Sequence, residues 1–220
     1  MKFIAHRGND NHSFYENTKD ALLWCLKQDY IDGVELDIRL TKDNQFVIMH
    51  NSSFLHLGIE AYFIRGETLE SLKKINLGTK EKPHYLDSLE DFLKEVNSDK
   101  IILLDIKEEF GNFNHLLDIL MNSLKKYEHL KIYLCSFNYQ IVKLCPNKCK
   151  FPIGLLVSDF INKKKNYNDF DFLSVSKGAY PDISSPKKKM VWTINKKSDL
   201  KGISKDMYII TDKAYHLVSK

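Results

Sequence analysis

Residues 33–50 read GVELDIRLTKDNQFVIMH, and this stretch decides the fold prediction. It contains two apolar runs, residues 33–38 and 46–50, joined by turn-forming residues at 41–45. The second run follows the first too soon for a parallel crossover, which takes about a dozen residues or more. We therefore predict an antiparallel hairpin that projects beyond the rest of the sheet.

The turn sets which side chains of the hairpin share a face. A turn centred on Asp43 and Asn44 places His50 opposite Asp37. Directly paired residues have Cβ atoms about 5 Å apart on one face of the sheet. A slip of one residue would place the side chains of His50 and Asp37 on opposite faces of the sheet, so their proximity depends on this register.

Apolar runs of strand length recur along the whole chain, at residues 3–5, 33–38, 101–106, 131–136, 152–157, 171–175, 190–194 and 208–211. Helical spacing occupies residues 18–28, 88–96, 113–127, 197–203 and 213–218. Residues 158–170 and 176–189 are poorly patterned, so we expect short or irregular helices there. The alternation predicts an α/β fold: a (β/α)₈ TIM barrel over residues 1–220 as a single domain, with the hairpin added after the second strand.

Composition excludes several classes of partner. A net charge of +4 over 220 residues is too small an excess for a nucleic-acid-binding protein. No apolar run approaches the roughly 20 residues of a membrane span, and the first run is too short for a secretion signal. We therefore expect a cytoplasmic protein that binds a small molecule, binds no nucleic acid and does not insert stably into a membrane; nothing in the sequence indicates an oligomeric state.

Polar residues end several of the predicted strands, which is where barrel enzymes carry their active sites. They comprise two histidines, three carboxylates and two cations: His6, His50, Glu35, Asp37, Asp105, Arg7 and Lys107. We therefore expect these side chains to meet at one rim of the barrel.

The three carboxylates have the composition of a site for a hard cation. Glu35 and Asp37 are two residues apart on one strand, so their side chains point to the same face, and Asp105 arrives from the neighbouring strand. Three such groups can coordinate one Mg²⁺ or Ca²⁺ ion. The alternative is a buried salt-bridge cluster with Arg7 and Lys107.

The histidines supply the remaining chemistry. A lone histidine is more often structural than catalytic, but His6 and His50 are predicted to converge on the same rim. A cation together with Arg7 and Lys107 would neutralise a bound phosphodiester, while one histidine accepts a proton and the other donates one. The sequence does not say which histidine is the acid and which the base.

Eight short segments carry a family resemblance across nearly the whole chain. They are IAHRG at 4–8, ENT at 16–18, ELDI at 35–38 with TKD at 41–43, VIMH at 47–50, LDIK at 104–107, VWTIN at 191–195 and IITD at 209–212. In order and spacing, this set resembles the signature of the glycerophosphodiester phosphodiesterases.

The resemblance implies a barrel of the phospholipase C-like phosphodiesterase type. Its members use a divalent metal to hydrolyse glycerophosphodiesters, such as glycerophosphocholine, to glycerol 3-phosphate and an alcohol. In the mechanism usually proposed, the glycerol 2-hydroxyl attacks phosphorus and water opens the resulting cyclic phosphate. By resemblance the roles are His6 and His50 as acid and base, Glu35, Asp37 and Asp105 as metal ligands, and Arg7 and Lys107 as phosphate-binding residues.

The chain departs from the family pattern at three positions. Asn51 stands where an Asp is usual, Asp105 where a Glu is usual, and Tyr15 where a Pro is usual. Two alternative functions follow. One is a related phosphodiesterase acting on a lysophospholipid or phosphoinositide, which residues 52–82 would determine; the other is a catalytically silent barrel that binds phosphodiesters.

Overall fold

A computed structural model of the chain describes residues 1–10, 13–59, 62–108, 110–159, 167, 169–182 and 187–219. Within these ranges, each predicted apolar run forms a strand. The strands are β1 Lys2–Ala5, β2 Gly33–Leu40, β3 Phe46–Ile48, β4 Ile101–Ile106, β5 Ile132–Ser136, β6 Ile153–Val157, β7 Phe172–Ser176, β8 Lys188–Trp192 and β9 Tyr208–Thr211.

The parallel strands close into a barrel. Strand β1 pairs in parallel with both β2 and β9, and the ring continues from β2 through β4, β5, β6, β7 and β8. Strand β3 lies outside this ring and pairs antiparallel with β2. The predicted eight-stranded barrel with an added hairpin after the second strand is confirmed.

The helices of the described residues are α1 Lys19–Leu26, α2 Leu69–Leu72, α3 Leu89–Glu95, α4 Phe113–Leu124, α5 Tyr139–Leu144 and α6 Ala214–Val218. The side chains of Thr18 and Ser88 cap α1 and α3, which is why these helices begin where they do. None of the described helices is long and apolar enough to cross a membrane.

In two segments, helical structure among the described residues is limited to a short 3₁₀ turn. The segment predicted as a helix at 197–203 forms only a 3₁₀ turn, Lys197–Leu200. The described part of 176–189 contains the short 3₁₀ turn Tyr180–Asp182, as expected for a poorly patterned stretch, and most of 158–170 lies outside the described residues.

Strand alternation divides the apolar side chains between two layers. Leu36 and Leu104 point outward into the main core beneath the helices. Leu103 and Leu156 point inward and fill the barrel. Because successive side chains of a strand face opposite ways, the polar residues near the ends of the same strands point into the barrel mouth.

The predicted hairpin register is wrong by one residue. Ile38 pairs with Ile48 and Leu40 pairs with Phe46, so Asp37 is level with Met49. The Met49 backbone N–H donates to the Asp37 carbonyl at 3.0 Å. His50 therefore lies beyond the end of β3.

The cause is the length of the turn. Thr41 and Gln45 close it, with the Thr41 N–H donating to the Gln45 carbonyl at 2.9 Å. The loop between them has an odd number of residues, and Asn44 adopts a left-handed conformation with φ 60°. Loops of this kind commonly end in a left-handed residue, whereas the prediction assumed a two-residue turn.

Candidate active site

The turn after β1 brings the first site residues to the barrel mouth. Arg7 and Gly8 both have left-handed backbones, with φ 54° and 65°. A Cβ on Gly8 would lie 2.9 Å from the Leu22 nitrogen, so this position requires glycine. The Arg7 N–H donates to Glu35 Oε2 at 3.0 Å, and this bond helps to hold the unusual Arg7 conformation.

His6 is supported by a carboxylate from the neighbouring strand end. Its Nδ1 lies 2.7 Å from Asp212 Oδ1, and its Nε2 lies 3.9 Å from Glu35 Oε2. Asn195 donates to the other Asp212 oxygen at 2.6 Å and fixes that carboxylate. Burial alone would lower the pKa of His6, but the Asp212 hydrogen bond and the Glu35 charge outweigh it, so the pKa is raised.

His50 is supported by a neutral amide. Its Nδ1 lies 2.5 Å from Asn51 Oδ1, and its backbone carbonyl accepts from Arg39 Nε at 2.8 Å. Burial lowers the pKa of His50, and the Asn51 hydrogen bond and the Asp37 charge reverse only part of this effect. The two histidines therefore have pKa values displaced in opposite directions.

The three carboxylates form the cluster that the sequence predicted. Glu35, Asp37 and Asp105 are all buried, and one oxygen of each lies within 4.8 Å of the others. Burial and the charge of Asp37 raise the pKa of Glu35 to about 8, and burial raises the pKa of Asp105 to about 6. Burial also acts to raise the pKa of Asp37, but the neighbouring cations outweigh it and the pKa is lowered.

Two cations lie against this cluster. Lys107 Nζ is 2.6 Å from Asp105 Oδ2 and 3.1 Å from Asp37 Oδ1. Arg7 Nε is 3.1 Å from Asp37 Oδ2. Burial alone would lower the pKa of Lys107, but Asp105 and Asp37 raise it, so this side chain stays charged.

A cavity of about 300 Å³ connects these groups. Six of the predicted site residues line it, and Asp37 lies behind them against Arg7 and Lys107. The remaining wall is largely apolar. The six are His6, Arg7, Glu35, His50, Asp105 and Lys107.

Sequence reasoning missed several supporting residues. Asp212 follows β9, and its position as the polar residue ending an apolar run was the available signal. Asn17 was noted only as part of a motif, yet its side chain donates to Asp37 Oδ2 at 2.7 Å. Arg39 bonds the carbonyls of both His50 and Lys107, and no sequence signal identified it.

Comparisons with known proteins identify the family of the chain. The model of the glycerophosphoryl diester phosphodiesterase family matches residues 6–187. A glycerophosphodiester phosphodiesterase of Caldanaerobacter subterraneus subsp. tengcongensis is 29% identical over 163 residues, which span 70% of this chain and 65% of that relative. An uncharacterised protein of Mycoplasma genitalium is 33% identical over 73% of this chain and 69% of its own length.

The fold also has solved counterparts. An Oleispira antarctica phosphodiesterase, solved in complex with the product sn-glycerol-3-phosphate, superposes with a TM-score of 0.82 at 21% identity. That superposition covers 99% of this chain and 95% of the other. The likeness at this identity confirms the barrel fold.

A TIM barrel with this family match is that of a phosphoric diester hydrolase, so the prediction of an enzyme of this class is confirmed. The chain belongs to the glycerophosphoryl diester phosphodiesterase family. The resemblance inferred from the eight segments is thereby confirmed, while the roles of individual residues stay predictions.

Proposed function

We propose that this chain hydrolyses glycerophosphodiesters to glycerol 3-phosphate and an alcohol by two-histidine acid–base catalysis. The carrying observation is that His6 and His50, with oppositely displaced pKa values, face one cavity that also contains the carboxylate cluster. The product bound to the Oleispira phosphodiesterase supports this choice of substrate class. That residues 1–220 form one domain also stays a prediction, supported by a barrel that closes from β1 to β9.

The carboxylate cluster fits a divalent cation. Asp105 Oδ1 is buried with no hydrogen-bond partner among the described residues, and burial together with the charge of Asp37 raises the pKa of Glu35 to about 8, an effect that a bound cation would offset. Glu35, Asp37 and Asp105 would hold Mg²⁺ or Ca²⁺, both of which prefer oxygen ligands. When bound, the cation supplies Lewis-acid polarisation of a phosphoryl oxygen.

Arg7 and Lys107 are suited to bind the phosphate. Both line the cavity, and both stay charged because carboxylates lie against them. A phosphodiester anion that enters the cavity therefore meets two fixed cations whose orientation costs no reorganisation during the reaction.

The hydrogen bonds assign the acid and base roles that the sequence left open. Asn51 Oδ1 can only accept, so His50 Nδ1 carries a proton and its Nε2 has a free electron pair. Asp212 holds a proton on His6 Nδ1 and favours the imidazolium. His50 is the base and His6 the acid, and these Nδ1 partners would stay in place around a bound cation.

The first step then follows from proton positions. His50 Nε2 takes the proton of the glycerol 2-hydroxyl as its oxygen attacks phosphorus. His6 Nε2 gives its proton to the departing alcohol oxygen, whose bond to phosphorus breaks. Water opens the cyclic phosphate with the two roles reversed, which returns both histidines to their starting protonation states.

A turnover assay tests this function. The purified protein is given glycerophosphocholine with Mg²⁺ or Ca²⁺, and glycerol 3-phosphate is measured with and without EDTA. We expect product formation that EDTA abolishes and added metal restores. Phosphodiester binding without turnover under either metal would instead identify a silent binding barrel.

A second cavity favours one alternative substrate. A groove of about 280 Å³ shares Arg7 and His50 with the first cavity and is also lined by Leu57, Leu77 and Leu86. Such walls suit an acyl chain, so a lysophospholipid is the second candidate. Turnover of lysophosphatidylcholine at a kcat/KM above that of glycerophosphocholine would favour it.

A further inference from the structure

One wall of the cavity that contains His6 and His50 carries residues with no role in the proposed reaction. Ser174 lies on β7, which is four strands from β2 in either direction around the barrel and so directly across from Glu35 and Asp37. It is fully buried and lines the cavity. Its Oγ has no hydrogen-bond partner among the described residues.

Trp192 presents a similar atom from the next strand. Its indole Nε1 is buried without a partner in the described part of the chain, and its ring lines the same cavity. Phe137 packs edge-on against that ring, with centroids 5.7 Å apart, and limits its movement.

Unsatisfied polar atoms concentrate at this cavity. Five buried side-chain atoms lack an aligned hydrogen-bond partner within the described ranges, and four of them belong to residues that line it. Two of the four, on Arg7 and Asp105, belong to the charged cluster. The other two are Ser174 Oγ and Trp192 Nε1, and a buried polar atom left unpaired costs free energy that a ligand can recover.

The neighbouring serine shows that this strand can satisfy a hydroxyl. Ser176 lies two residues further along the same face of β7, and its hydroxyl bonds Asp159 and accepts from the Ala179 N–H. Ser174 has no such partners although it is less exposed. On this face of β7, the unpaired hydroxyl is therefore the one that lines the cavity.

We propose that Ser174 Oγ and Trp192 Nε1 bind the terminal hydroxyl of the substrate's glycerol moiety. Trp192 can only donate, while Ser174 can donate or accept. An alcohol oxygen accepts from Trp192 and gives its own proton to Ser174, so one hydroxyl satisfies both atoms. This inference rests on the proposed function and adds the orientation of the substrate.

Other groups fit this wall poorly. A quaternary ammonium has no acceptor for the Trp192 N–H, and a second charged group would be desolvated among Leu103, Leu156 and Ile210. The glycerol end therefore occupies the closed side of the barrel. The departing alcohol then points toward the groove that shares Arg7 and His50.

A pair of ligands isolates this contact. They are sn-glycerol 3-phosphate and its analogue in which hydrogen replaces the C1 hydroxyl, both measured by calorimetry in Mg²⁺. The same change in glycerophosphocholine gives a substrate pair that keeps the attacking 2-hydroxyl. The variants are Ser174→Ala and Trp192→Phe, with Ser176→Ala as the matched control on the same strand.

We expect the parent to bind the hydroxylated ligand about ten- to a hundredfold more tightly than the analogue, because each of the two neutral hydrogen bonds contributes about three- to tenfold. Ser174→Ala and Trp192→Phe should each reduce that preference by about three- to tenfold in both Kd and kcat/KM, while Ser176→Ala should preserve it. Equal losses on both ligands, as for a structural role or a bound water, or no preference in the parent, would overturn the proposal. Preferential binding without any turnover would overturn the proposed hydrolysis alone.

Discussion

The two histidines at the cavity are held by different parts of the molecule. His6 follows β1, and its Nδ1 partner Asp212 follows β9, so barrel closure joins residues far apart in the chain. His50 belongs to the added hairpin, and its Nδ1 partner is the next residue, Asn51. One support is charged and long-range, whereas the other is neutral and local.

This difference supports the proposed assignment of His6 as the acid and His50 as the base. A carboxylate stabilises the imidazolium of His6, and a neutral amide does so less for His50. At a pH between the two pKa values, His6 is protonated while His50 is not. The pair is therefore ready for opposite proton transfers without any rearrangement.

The largest expected loss of activity comes from a substitution in the carboxylate cluster, which lies at the cavity that both histidines face. Asp37→Ala deletes a carboxylate that contacts Arg7 and Lys107 and contributes to the proposed metal site. We expect metal-dependent turnover to be abolished and calorimetry to show loss of Mg²⁺ binding. Asp118→Ala, which removes an exposed carboxylate paired with Lys148, is the control. Parent-like activity of Asp37→Ala would refute the metal assignment.

The next largest loss of activity should come from removing either histidine. His6→Ala and His50→Ala should each lower kcat by about 10²–10⁴-fold, the usual contribution of one general acid or base. Metal binding should remain, since neither is a proposed ligand. His115→Ala, an exposed histidine on α4, should leave kcat unchanged. Parent rates in both site variants would show that neither histidine transfers a proton.

The same pair should differ in pH dependence. The parent's kcat/KM should be bell-shaped: it rises as His50 loses its proton and falls as His6 loses its own. His50→Ala should lose the acidic limb, and His6→Ala the basic limb. The opposite pattern would exchange the two roles.

The charged positions could be predicted because they lie within or directly after apolar runs. Strand alternation places Glu35 and Asp37 on one face, and parallel neighbours bring Asp105 beside them, so local pattern and topology suffice. The hairpin register could not be predicted in the same way. An odd loop with left-handed Asn44 and a two-residue turn have similar composition, and the choice shifts His50 by one residue.

The residues that support the site could not be identified from the sequence, because their contacts form only when the strands close into a barrel. Asp212 reaches His6 only because β9 pairs with β1, although its place after the last apolar run was visible. Ser174 lies inside a run, and its hydroxyl, unlike those of Ser136 and Ser176, has no partner in the described structure. No sequence pattern reports that property, because it depends on what the rest of the barrel places around the hydroxyl.

A smaller effect should come from neutralising the support of His6. Asp212→Asn keeps an acceptor near Nδ1 but removes its charge, so the pKa of His6 should fall. The proposed reaction requires protonated His6, and the basic limb should therefore move to lower pH by about one unit. The acidic limb should stay in place. A shift of both limbs together would show that Asp212 acts on the whole cavity instead.

The smallest expected effect comes from changing Asn51, the neutral partner of His50. Asn51→Asp puts a carboxylate beside His50 Nδ1, 2.5 Å from the present amide oxygen, and should raise the pKa of His50. Because the proposed reaction requires unprotonated His50, the acidic limb should move to higher pH by up to about one unit, with little change at the plateau. In the double variant with Asp212→Asn the two limbs should approach each other, so that the active pH range narrows from both sides. An unmoved acidic limb in Asn51→Asp would mean that the neutral partner does not set the base, and the contrast between the two histidines would then rest on burial alone.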